Sequence, residues 1–156
     1  MTTDEEISGH QVTIRRRIEA PRAAVFAAWT EPAQFARWFG PRGVVCIEAE
    51  LDVRIGGTYR IGNQLPDASL VWITGTYLDV VPPDLLRYTW LVGSADEEAE
   101  PSIVEVRFLA NDGGTDVEVT HRRIANAEVR EGHHRGWIGC LDRLAEELAP
   151  DRPAAT

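Results

Sequence analysis

A chain of 156 residues, 44% hydrophobic and 26% charged, has the length of one domain and an ordinary globular composition, which excludes disordered, collagen-like and coiled-coil architectures. Sixteen basic against 25 acidic residues leave a net charge of −9, which repels nucleic-acid phosphates and anionic membrane surfaces, so no nucleic-acid partner and no membrane insertion are expected. Every basic residue is Arg, which also excludes Schiff-base and P-loop lysine chemistry.

Residues 1–10 read as a flexible leader, since an acidic, polar start is the opposite of a signal or transit peptide. Gln11–Ile18 alternates as a half-buried strand, with Val12, Ile14 and Ile18 on one face. Arg16 falls on that apolar face, so it either snorkels to the sheet edge or points into a cavity, where it would pair with a ligand carboxylate. Ala20-Pro21-Arg22 opens a short helix whose apolar stripe is Val25, Phe26, Ala28 and Trp29. Thr30-Glu31-Pro32 restarts it, with Thr30 as cap and Phe35, Trp38 and Phe39 on the inner side, and Gly40-Pro41-Arg42-Gly43 ends it.

From Val44 to Arg123 the hydrophobic period is two. Strands are predicted at Val44–Glu50, Arg54–Gly62, Leu70–Val81, Leu85–Val92, Ser102–Leu109 and Thr115–Arg123. Turns are predicted at Asn63–Asp67, Pro82–Asp84, the acidic stretch Ser94–Pro101, and Asn111–Gly114. Gly56-Gly57 inside a strand suggests a bulge or sharp bend. Ala127–Leu148 is helical, about 33 Å long, with Trp137, Cys140, Leu141, Leu144 and Leu148 recurring at three- and four-residue steps. Residues 150–156 read as a flexible tail, which leaves 11–149 as one domain.

Connections this short exclude parallel crossovers, so the fold class is α+β: a curved antiparallel sheet of about seven strands wrapped around the long C-terminal helix, with two short helices after the first strand. A sheet curved around one helix is hard to fill completely, and a hollow between them is expected.

Five segments carry a family resemblance: Ile18-Glu19-Ala20-Pro21, Val25–Pro32, Arg37-Trp38-Phe39-Gly40-Pro41, Arg54–Arg60 and Gly136–Leu144. In order and spacing they resemble the START-like (SRPBCC) superfamily, and within it the single-domain bacterial homologues of the heat-shock protein 90 ATPase activators. The resemblance implies a helix-grip fold with a deep apolar cavity under the last helix. It implies no shared catalytic motif, so chemistry has to be argued from the site.

The candidate ligand-binding residues are Trp38, Tyr59, Trp72, Tyr88, Trp90, Phe108, His121, His133 and Trp137. Trp and Tyr offer large apolar faces with one polar handle, suited to holding an organic ligand, or they fill the hollow as core. The face of Trp72 is undetermined, because Leu70–Leu78 is apolar on both sides. His121 shares register with inward Val117 and Val119, so it either orients a polar ligand atom or is a hydrogen-bonded core residue. His133, one turn before Trp137, reads as a hydrogen-bonding group at the cavity mouth or a solvated helix position. Glu48, Glu50 and Asp52 read as an exposed polar face. No cofactor motif and no metal spacing occur, and the two cysteines, Cys46 and Cys140, read as reduced thiols of a cytoplasmic protein.

Three functions follow. The first is binding of a hydrophobic or aromatic small molecule. The second is a chaperone-associated interaction module. The third is a cyclase- or hydrolase-type enzyme using His121 with Tyr59 or Tyr88. Free sheet edges leave room for a homodimer.

Overall fold

The computed structural model describes residues 7–8, 10–93 and 101–149. The expected tail, most of the expected leader and nearly all of the acidic Ser94–Pro101 turn lie outside these. The strands are β1 (Ile7–Ser8), β2 (Gln11–Ile18), β3 (Val45–Leu51), β4 (Thr58–Gln64), β5 (Leu70–Val81), β6 (Leu85–Val92), β7 (Ser102–Asn111) and β8 (Gly114–Arg122). The helices are α1 (Arg22–Thr30), α2 (Pro32–Trp38) and α3 (Ala127–Glu147).

All strands pair antiparallel in the order β1-β2-β8-β7-β6-β5-β4-β3. The seven expected strands are present. The eighth, β1, pairs only Ile7 and Ser8 with Val12 and Gln11, too short a run to show any periodicity. Register shifts between Cys46 and Glu48 in β3 and between Tyr77 and Asp79 in β5 help to bend the sheet.

Two local expectations are corrected. Arg54–Gly57 is a turn and not the start of a strand: Gly56 has φ +87°, and a Cβ on Gly57 would stand 2.1 Å from the Asp52 carbonyl oxygen. Strand β4 is therefore shifted toward the C-terminus, and Asn63, expected in a turn, lies inside it. Thr30 does not cap α2, because its hydroxyl donates back to the Phe26 carbonyl at 2.9 Å; Pro32 in the first turn starts the helix without a side-chain cap.

α3 starts where the Asn126 side chain accepts from the Val129 N–H. Its buried stripe is Trp137, Cys140, Leu141 and Leu144, packed into one core with the inward residues of the sheet and with α1 and α2. Arg16 is exposed and meets Asp142 of α3 at 3.2 Å, so it reaches the rim and not the interior. Glu48 pairs with Arg60, and Asp52 with Arg54, as solvated pairs. Among the described residues no helix is long and apolar enough to cross a membrane.

Candidate functional site

The trough between α3 and the sheet is filled along part of its length and hollow at one end. The filled part is aromatic. Tyr59, Tyr77 and Tyr88 stand with ring centroids 5.4 to 5.8 Å apart. The Tyr59 hydroxyl donates to the Thr89 carbonyl at 2.6 Å, and the Tyr88 oxygen accepts from Trp29 Nε1 at 3.3 Å. Burial pushes the pKa of all three phenols up, so they are neutral. Only about 10 Å³ of free space remains among these rings, too little for a guest.

The hollow end is a cavity of about 200 Å³. Val71 and Ile73 of β5 and Trp90 of β6 form its floor, and Gly132, His133, Gly136, Trp137 and Cys140 of α3 form its roof. Phe39, Gly40 and Pro41 close one side. That side is held by Arg143 of α3, whose guanidinium donates to the carbonyls of Gly40 at 2.8 Å and Val44 at 2.9 Å. Gly40 has φ +109°, and a Cβ there would meet Val44 Cγ1 at 2.9 Å, so only glycine fits this corner. The Gly40 N–H meets Cys140 Sγ at 3.2 Å; burial pushes the Cys140 thiol up to about 12, so it is a neutral wall atom.

The candidates separate by position. Trp90, His133 and Trp137 line the cavity, with Trp90 and Trp137 centroids 5.6 Å apart and Trp90 and His133 6.0 Å apart. Tyr59 and Tyr88 belong to the filled part. Trp38 and Phe108 are buried behind it, with the Trp38 indole donating to the Ala28 carbonyl at 3.0 Å. Trp72 is corrected outright: it lies on the outer face, its ring over Gly62 and beneath the Arg60 guanidinium at 4.0 Å, because Val71 and Ile73 take the inward positions.

His121 is completely buried and is absent from the cavity wall. Its Nδ1 accepts from Trp137 Nε1 at 3.1 Å, and its Nε2 lies 2.8 Å from Ser102 Oγ. Ser102 donates its proton to the Trp90 carbonyl at 3.2 Å, so the network assigns the proton of His121 to Nε2. Burial and the neighbouring His133 push its pKa well below the usual value. Both ring nitrogens are engaged inside the protein, so the acid–base role has no free atom to act through. His133 donates from Nδ1 to the Val129 carbonyl at 2.9 Å, and burial also lowers its pKa.

Asn63 is among the wall residues that sequence reasoning missed. It points inward between Val71 and Cys46, its cross-strand neighbours, and is only 7% exposed. Its signal was the alternation Tyr59, Ile61, Asn63, obscured because Asn is a common turn residue. Among the described residues no group of His, Cys, Asp or Glu is arranged to hold a metal ion.

A curved antiparallel sheet gripping a long C-terminal helix, with a cavity between them, defines a START-like domain of the SRPBCC superfamily. The chain belongs to the Activator of Hsp90 ATPase homolog 1-like protein family, whose model matches residues 19–149. It is similar to protein CV1439 from Chromobacterium violaceum, with 28% identity, a TM-score of 0.83, and coverage of 91% of this chain and 99% of that one. It is also similar to CalU16 from Micromonospora echinospora, with 28% identity, a TM-score of 0.67, and coverage of 90% and 76%. AHSA1 (SPO3351) from Silicibacter pomeroyi shares the fold at 24% identity and a TM-score of 0.78, covering 89% of this chain and 97% of that one. No curated protein sequence matches the chain significantly.

Proposed function

We propose that this protein binds a small hydrophobic or aromatic molecule between α3 and the sheet. The observation that carries this reading is the cavity of about 200 Å³, walled by indole, phenyl and aliphatic side chains in an otherwise solid trough. Its size suits a small guest. A dry apolar cavity of roughly 150 Å³ takes benzene, and drug-sized pockets start at about 300 Å³. A guest of one or two fused rings fits this space. The two cysteines are buried and unpaired, which supports a reducing, cytoplasmic location.

Calorimetry with naphthalene tests the reading. Saturable binding at one site is expected for the wild type, and loss of binding for Gly136→Leu, whose side chain would occupy the space now open beside Gly136. Circular dichroism would confirm that the variant folds. Absence of binding by the wild type to naphthalene and to every other one- or two-ring aromatic tried would overturn it.

The family description and one surface feature favour a chaperone-associated role as the second reading. β3 is an open sheet edge on which Val45 and Ile47 are 55% and 49% exposed, and a homodimer would use the same edge. Stimulation of the host chaperone's ATP turnover, abolished by Ile47→Glu, is the result this reading requires.

A further inference from the structure

We infer that the cavity selects a compact hydroxyaromatic molecule, a phenol or naphthol, and that Asn63 recognises its hydroxyl. This rests on the ligand-binding reading above and adds the polar half of the recognition. Asn63 is 7% exposed, lies in the cavity wall, and its Oδ1 has no hydrogen-bond partner among the described residues. A buried amide oxygen without a partner is destabilising, and leucine has nearly the same volume and would avoid the loss. The unpartnered oxygen therefore points to a partner outside the chain.

A second wall residue carries an unpartnered donor. Trp90 Nε1 is buried and has no acceptor among the described residues. The Asn63 oxygen, an acceptor without a donor, matches a hydroxyl, which donates one hydrogen bond and accepts others. Neither Cys140, whose sulfur meets the Gly40 N–H, nor the Nδ1 of His133, which donates to the Val129 carbonyl, competes for it.

The helix above keeps the space open. A Cβ on Gly132 or Gly136 would meet nothing within 4 Å, so packing does not demand glycine at either position. Alanine would be the better helix former, and both residues line the cavity. Gly139 differs: a Cβ there would stand 2.8 Å from Pro41 Cβ, so close packing accounts for it.

The experiment compares 2-naphthol with naphthalene by calorimetry, on the full chain and on Asn63→Leu. Hydrophobicity alone favours naphthalene, so a preference for 2-naphthol has to come from polar recognition. We expect the wild type to bind 2-naphthol about tenfold more tightly, and Asn63→Leu to bring the two within about twofold while still binding naphthalene. Equal wild-type affinities, or a preference that survives Asn63→Leu, would overturn the inference and leave the cavity reading standing. Failure of both probes on the wild type removes the cavity reading itself. A measurement that needs no variant decides the same point: the Asn63 side-chain amide resonance is expected to shift with 2-naphthol and not with naphthalene, and the absence of that difference counts against the inference.

Discussion

A histidine with no exposed surface, held between an indole N–H and a serine hydroxyl, makes His121 a pH-dependent element of the core. Protonation would set a second N–H against the Trp137 indole. The unfolded chain takes up that proton near 6.5, and the folded chain only well below it. Between those values the unfolded state binds more protons, so acidification favours unfolding. The contribution of His121 is full above about pH 6.5 and falls as pH drops through 6 toward 5. His133, also lowered, adds in the same direction. Urea midpoints from pH 7.5 to 5 are expected to fall, and His121→Gln to flatten that slope while leaving the share of His133. An unchanged slope would mean that His121 is not neutral in the folded state. The buried thiols give a simpler outcome: Cys140, pushed up to about 12, is expected to resist alkylation at pH 8 until the protein unfolds.

Among the elements, α3 carries the most information. Its buried stripe of Trp137, Cys140, Leu141 and Leu144 follows the helical period, and that period is readable in any amphipathic sequence. Its three glycines have different consequences. Gly132→Ala and Gly136→Ala are each expected to stabilise by up to about 1 kcal/mol through helix propensity, read as a rise in thermal midpoint. Gly139→Ala is expected to destabilise, because the added methyl meets Pro41 in a segment that Arg143 holds in place. Leu141→Ala, at a site with no exposure, should lose about 2–5 kcal/mol. If all three glycine variants behaved alike, the cavity would not be the reason two of them are glycine. In the sheet, β4 shows where reading by residue type misleads. Asn63 favours turns when taken alone, yet the registers Cys46↔Asn63 and Asn63↔Val71 place it inside a strand paired on both sides.

For the molecule as a whole, a ligand that binds only the folded state raises stability by mass action. At a hundredfold excess over Kd this is about 2.7 kcal/mol, which for a domain of this size shifts the thermal midpoint by roughly 5–11 °C. Naphthalene and 2-naphthol near saturation are expected to raise the midpoint in the wild type and not in Gly136→Leu. A shift of equal size in both proteins would place the binding site elsewhere.

The order of elements from β2 onward, the antiparallel meander and the buried face of α3 were determined by the sequence, because periodicity and short connections are local properties that survive into the fold, and the START-like resemblance was carried by the residues of its motifs. Which aromatic rings meet open space was decided only by the tertiary structure. Trp38, Phe108, Tyr59, Tyr88, Trp90 and Trp137 carry the same inward signature, yet only Trp90 and Trp137 line the hollow, Tyr59 and Tyr88 plug the trough, and Trp72 stacks under an arginine outside. The reason is packing. Whether a side chain fills a void or borders one depends on neighbours dozens of residues away, and a void leaves no residue of its own in the sequence.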